Sequence, residues 1–356
     1  MSLGEAPDLG IYIHWPYCAR ICPYCDFNVY RRRGRGDEPA VLKDAMLRDL
    51  AAHRAVTGPR RLASVFLGGG TPSLMDPGWA GEMIEACRRL WEADDGLEVT
   101  LEANPTDAES SRFEAFAAAG VNRLSLGLQA LNDADLALLG RDHDAAMGRR
   151  AAEIGARVFP RMSLDLIYAR PGQSPLAWAA ELREAAALGA GHLSPYQLTI
   201  EPGTAFERAV RRGRLVPPDE DAAAALYDVT QEVLSQAGFD AYEVSNHARG
   251  PAERSRHNLI YWTGGDYAGI GPGAHGRVTI DGTRHATEAE ARPEAYIAKV
   301  RATGTGRAAA ESLDPVAAAE ERLLAGLRIR DGVPFAAVAA LGLSPGHPVV
   351  AELRGE

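Results

Sequence analysis

Short apolar runs recur along roughly the first two hundred residues, each followed by a longer stretch whose apolar positions return every three or four residues. The runs cover Gly10–Trp15, Ser64–Gly68, Leu97–Ala103, Arg123–Gly127, Met162–Tyr168 and His192–Leu198. Runs this short, bounded by Gly, Pro and Asn, predict strands. The stretches between them lie near Pro39–Val56, Pro77–Trp91, Ser110–Ala119, Ala145–Gly155 and Pro175–Leu188. They are Ala-rich and amphipathic, and predict helices. Six strands alternating with helices predict βα units around a parallel sheet, an α/β class. The rhythm fits a doubly wound sheet and a TIM-like barrel alike.

After about residue 200 the pattern changes. Pro217–Gln236 predicts a long helix, Ala241–Ser245 a short strand, and Gly264–Gly276 a Gly-rich loop. Helices over Arg292–Ala302 and Asp314–Arg328 follow. This predicts a smaller, mixed, mainly helical C-terminal domain. No repeat beyond the βα rhythm is visible.

Composition narrows the class. With 46% hydrophobic and 24% charged residues the chain reads as a soluble globular protein. No apolar run reaches the length of a membrane span, so no transmembrane segment is expected. A net charge of −10 argues against a nucleic-acid partner. The clusters Arg31-Arg32-Arg33 and Arg211-Arg212 read as solvated loop charge. Four cysteines without a secretory signal argue against a disulfide framework and for a reducing, cytoplasmic location.

Three of those cysteines, Cys18, Cys22 and Cys25, are spaced C-x3-C-x2-C. Thiolates hold four-iron clusters, normally one per iron, so three leave one iron open. Zinc is the rival, with His14 as a fourth ligand, although structural zinc sites usually add a second distant pair. Cys87 stands alone in a helical stretch and reads as a buried structural thiol.

Polar residues gather at the predicted strand ends. Gly68-Gly69-Gly70-Thr71-Pro72 follows the second strand, where glycines permit close backbone approach to a ligand or simply a tight turn. Glu102 ends the third strand in Leu-Glu-Ala-Asn-Pro, and Gln129 follows the fourth in Ser-Leu-Gly-Leu-Gln. Arg141 lies in Leu-Gly-Arg-Asp-His. Asp165 sits inside Leu-Asp-Leu-Ile-Tyr, where a charge is costly unless paired or bound to a ligand. Together these residues form a polar ring at one end of the proposed sheet.

In this order, these motifs resemble the coproporphyrinogen III dehydrogenase-like branch of radical S-adenosylmethionine (SAM) proteins, from about Ile11 to Leu327. The resemblance implies an incomplete TIM-like (β/α)6 barrel, with a core at residues 1–238 and a C-terminal domain at 239–356. It implies a [4Fe–4S] cluster on Cys18, Cys22 and Cys25. It implies SAM contacts at Tyr12, Tyr24, Gly69, Gly70, Thr71, Glu102, Gln129, Arg141 and Asp165. Within the branch the chain is similar to the HemW family of heme chaperones. The decarboxylases of the branch carry a fourth cysteine where Phe27 stands and a long extension before the cluster loop, whereas eleven residues precede Tyr12 here. His257-Asn-Leu-Ile-Tyr261-Trp262 matches the H-N-x-x-Y-W signature of HemW-like proteins.

On this resemblance the expected function is to bind heme and deliver it to an acceptor protein. An electron donor is needed if SAM is cleaved. His257 is then a candidate heme ligand, or else a structural corner. His247 is a possible second ligand, and His275 a possible SAM neighbour or loop-packing residue. The relatives continue beyond the point matching Glu356, so a naturally shorter chain and a truncated one are both open expectations. Oxygen-independent coproporphyrinogen III oxidation and radical SAM methyl transfer are the competing functions.

Overall fold

All six predicted runs form strands, and each sends its residues alternately to two different environments. They are β1 (Leu9–Trp15), β2 (Leu62–Gly69), β3 (Glu98–Ala103), β4 (Arg123–Gln129), β5 (Arg161–Tyr168) and β6 (His192–Gln197). The computed structural model describes residues 7–32 and 34–354, so Arg33 of the first basic cluster lies outside the described residues. The six strands are parallel neighbours in chain order.

One face of each strand is aliphatic. Ile11, Ile13, Val65, Leu67, Val99, Leu101, Leu124, Leu126, Leu164, Leu166 and Leu193 are all fully buried in one core. That face packs against helices that include α1 (Glu38–Thr57), α2 (Pro77–Leu90), α3 (Phe113–Ala118), α4 (Ala145–Val158) and α5 (Pro175–Ala187). Side chains on the other positions point into the concave side, as the period of two requires. There the residues are polar: Tyr12, Glu102, Arg123, Ser125, Gln129, Asp165, His192 and Ser194. A sheet lined this way encloses a polar lumen, the barrel core that the fold predicts.

Helix starts are encoded locally. Asp76, Asp144 and Ser174 accept hydrogen bonds from the N–H of Gly78, Met147 and Ala177, each worth about 1 kcal/mol. Proline occupies the first turn of α1, α2 and α5, where its missing N–H is harmless. The predicted helix at Ser110–Ala119 is broken into Asp107–Ser110 and Phe113–Ala118.

The C-terminal residues extend this sheet at both edges. A strand inside the predicted Gly-rich loop, β7 (Asp266–Ile270), pairs in parallel with β1. The antiparallel strands β8 (His275–Ile280), β9 (Thr283–Ala289) and β10 (Arg307–Ser312) continue outward from it. The expected loop is therefore largely strand. Its glycines mark close backbone approach: a Cβ at Gly269 would lie 2.2 Å from the carbonyl oxygen of His275. At the other edge, the two-residue strands Asp240–Ala241 and His247–Ala248 replace the predicted strand Ala241–Ser245, with His247–Ala248 antiparallel to β6. Helices α6 (Glu220–Gln236), α7 (Arg256–Trp262), α8 (Pro293–Thr303) and α9 (Pro315–Gly326) complete the unit. Among the described residues no helix is long and apolar enough to cross a membrane.

Candidate functional site

The cysteine loop is clamped at its two ends. Tyr17–Cys18 and Tyr30–Arg31 form a small parallel pair, and the N–H of Arg32 donates to the carbonyl of Cys18 at 2.9 Å. This holds the loop over the C-terminal ends of the strands. Cys18, Cys22 and Cys25 are free thiols on the wall of a cavity of about 720 Å³ that runs down the lumen. Gly69, Gly70, Thr71, Glu102, Gln129, Arg141, Asp165, Tyr12 and Tyr24 line the same cavity. The ring expected from the sequence is brought together in one place.

The glycine loop fits closely beneath the cysteines. Gly69 adopts φ 108°, and a Cβ there would meet the His14 ring at 2.7 Å. A Cβ at Gly70 would lie 2.9 Å from the Tyr17 carbonyl oxygen and 3.0 Å from Cys18 Sγ. Arg141 Nη1 donates to Cys22 Sγ at 3.4 Å, and its Nη2 donates to the Gly127 carbonyl at 3.1 Å and to Asn104 Oδ1. Gln129 takes a left-handed backbone, φ 66°, as β4 ends, a costly conformation that turns the chain at the mouth.

Burial pushes the Cys18 thiol up to about 11 and raises Cys25 as well, so a strongly cationic partner is needed to hold them as thiolates. His14, the fourth ligand of the zinc alternative, is already engaged: Nδ1 pairs with Tyr12 Oη and Nε2 with the Asn28 carbonyl, both at 2.9 Å. Among the described residues no three His, Cys, Asp or Glu side chains converge on a single-ion site. Cys87 is fully buried on the core face of α2.

Two carboxyls sit deeper. Glu102 accepts from the N–H of Gly69 at 3.1 Å, and burial with nearby Asp165 lifts its pKa to about 8. Asp165 accepts from Ser125 Oγ at 2.8 Å and Ser163 Oγ at 3.1 Å; burial raises its pKa despite these donors. A carboxyl raised in this way binds more protons folded than unfolded, so its contribution to stability is complete at low pH and is lost as pH rises through the folded pKa. The ligand-free protein is therefore expected to lose stability between pH 4.5 and about 8 through Glu102. Glu102→Gln should flatten that slope in urea titrations at several pH values, and an unchanged slope would contradict the assignment.

His257 projects from the short helix α7 at the opposite, N-terminal end of the lumen. Its ring stacks on Phe66 at 5.0 Å, Nδ1 pairs with Ser64 Oγ at 2.8 Å and Nε2 with Tyr261 Oη at 2.7 Å. Burial holds it neutral, with a pKa near 3. It lines the cavity, but both ring nitrogens are engaged in this arrangement. His247 lies at the sheet edge outside the cavity wall, with Nε2 3.4 Å from Gln231 Oε1, and His275 is exposed on β8.

Sequence reasoning missed Arg123, His192, Ser194 and Tyr196 on the cavity wall. The signal was present as polar alternation: Arg123-x-Ser125-x-Gly127-x-Gln129 and His192-x-Ser194-x-Tyr196.

Three free thiols and a glycine loop over the C-terminal ends of a parallel βα sheet define the radical SAM class. A model of the Radical SAM superfamily accordingly matches residues 12–183. Within that superfamily the chain belongs to the HemW family. It is 36% identical over 351 residues to the heme chaperone HemW of Mycobacterium tuberculosis, covering 96% of this chain and 87% of that one. It is 42% identical over 344 residues to the mouse protein "Radical S-adenosyl methionine domain-containing protein 1, mitochondrial", covering 93% of this chain and 77% of the mouse protein. The solved structure of coproporphyrinogen III oxidase (HemN) from Escherichia coli superposes with a TM-score of 0.77 at 20% identity, over 92% of this chain and 77% of that one. That likeness is one of fold.

Proposed function

We propose that the protein is a heme chaperone that binds heme and passes it to an acceptor protein. The observation that carries this reading is the 36% identity to a HemW heme chaperone across 87% of that protein's length. Residues 1–238 form the cluster and SAM core in this reading, and residues 239–356 the C-terminal unit that contributes His257. Cys18, Cys22 and Cys25 would hold the cluster, which would supply a binding site for SAM and the electron for its cleavage. Tyr12, Tyr24, Gly69, Gly70, Thr71, Glu102, Gln129, Arg141 and Asp165 surround exchangeable SAM, and cleavage of SAM requires an external electron donor. The free thiols favour a reducing compartment, the cytoplasm; the mouse relative is named mitochondrial. Phe27, 62% exposed at the cavity mouth, stands where the decarboxylases have cysteine, which weighs against porphyrinogen oxidation.

His257 is the proposed heme ligand, acting through Nε2. Were Nδ1–H donated to Ser64, the Nε2 lone pair, now paired with Tyr261 Oη, would be the atom to hold heme iron. Tyr261→Phe removes the competing hydroxyl and should tighten hemin binding several-fold, whereas His257→Ala should abolish it, both read by absorbance titration. Equal hemin affinity in the wild type and both variants would remove His257 from the site. Conversion of coproporphyrinogen III to protoporphyrinogen IX by the reconstituted protein would overturn the chaperone-only reading.

A further inference from the structure

Arg123 opens β4 at the closed, N-terminal end of the lumen, and only 2% of it is exposed. Its guanidinium lines the cavity. Nε is buried without a partner, and among the described residues the side chain makes no hydrogen bond or ion pair. Its charge acts on Glu98 without direct contact, which leaves the two Nη groups free to take a ligand.

The groups that face it are all committed elsewhere. Glu98, on β3, is taken by Arg161 and by two backbone N–H groups of α7. Asp165, on β5, is taken by Ser125 and Ser163. His192 on β6 pairs with Ser163 and with Tyr242, and His257 on α7 pairs with Ser64 and Tyr261. These four and Tyr242 all feel the charge of Arg123. Both imidazoles are held neutral by burial, so neither supplies a counter-charge. Arg123 is thus a cation that lines a polar cavity without a direct hydrogen bond, its charge balanced at longer range by Glu98.

We propose that Arg123 is a carboxylate anchor at the floor of the lumen, holding a carboxylate of a bound ligand in its planar fork. The fork matches a carboxylate in two parallel hydrogen bonds. A monoanion suits the place better than a phosphate, because one guanidinium must balance it with Glu98 and Asp165 nearby. The anchor lies six residues from Gln129, roughly 20 Å down the strand at about 3.3 Å per residue, so it is separate from the cysteine end. The carboxylate chemistry stands on Arg123 alone; its identity as a heme propionate rests on the heme reading above.

The test compares wild type, Arg123→Met and Arg123→Lys, each reconstituted and confirmed folded by circular dichroism. Because Arg123 also supports Glu98, the Met variant is expected to melt somewhat lower without ligand, so binding rather than stability decides the role. Hemin affinity should fall about tenfold or more in Arg123→Met and less in Arg123→Lys, with SAM binding unchanged. Hemin dimethyl ester, which lacks free carboxylates, should bind wild type and the Met variant alike. If millimolar propionate raises the melting temperature of wild type but not of Arg123→Met, while hemin does not discriminate them, the anchor holds and its source is a free short carboxylate. If hemin binds none of the proteins, the heme reading fails and the propionate comparison alone decides the anchor. A Met variant that matches wild type in both hemin and propionate binding would overturn it.

Discussion

Glu98→Ala is expected to lose about 3–5 kcal/mol of stability, the cost of breaking a buried ion pair from one side. Glu98 is 1% exposed and accepts from Arg161 Nη1 at 2.6 Å, from the N–H of Arg256 at 3.1 Å and from the N–H of His257 at 3.0 Å. One carboxylate therefore ties β5 and the start of α7 to β3. Burial pushes its pKa up, but Arg123, Arg161 and the two N–H donors outweigh burial and hold it below the ordinary 4.5. An acid depressed in this way contributes stability above its unfolded pKa and loses it as pH falls through the folded value. Wild type should accordingly weaken below pH 4.5, and Glu98→Gln should lack that part of the acid sensitivity. Because a domain of this kind is stable by only about 5–15 kcal/mol, the alanine variant should unfold at much lower urea. A midpoint equal to that of wild type would show that the floor of the lumen is not tied through Glu98.

Much of this architecture was legible from periodicity, because the strands are short, the helices carry caps and prolines, and the βα rhythm is regular. Six strands appear within two residues of their expected bounds at each end. The cysteine end was legible for a different reason: thiolate spacing and glycine runs leave local signatures. The lumen floor was less visible. Arg123 and His192 begin strands that read as apolar runs, and alternation separates wall from lumen only once the sheet is known to curve. The strand Asp266–Ile270 was hidden by its flanking glycines, which serve tight strand packing rather than a loop. His257 was found by motif, but its partners Ser64 and Glu98 lie more than one hundred and fifty residues away in sequence.

Gly70→Ala is expected to weaken cluster retention about 10–100-fold, as changes to groups that orient metal ligands typically do. The added methyl meets backbone rather than a yielding side-chain tip: 2.9 Å to the Pro16 carbonyl carbon and 2.9 Å to the Tyr17 oxygen, with Cys18 Sγ at 3.0 Å. Those atoms are pinned by Gly70 N to the Trp15 carbonyl at 2.7 Å and Thr71 N to the Tyr17 carbonyl at 2.9 Å. Relief therefore displaces Cys18, at a cost of about 1–3 kcal/mol for the overpacking alone. The helices and the lumen floor do not depend on this contact, so the variant should remain folded.

The direct measurement is iron per chain after anaerobic reconstitution with iron and sulfide, followed by titration with SAM, in wild type and Gly70→Ala side by side. The cradle described here predicts about four irons in wild type and a spectral change on adding SAM, with a large loss of both in the variant. Tightly held zinc with no iron in wild type, or a full cluster in Gly70→Ala, would contradict it.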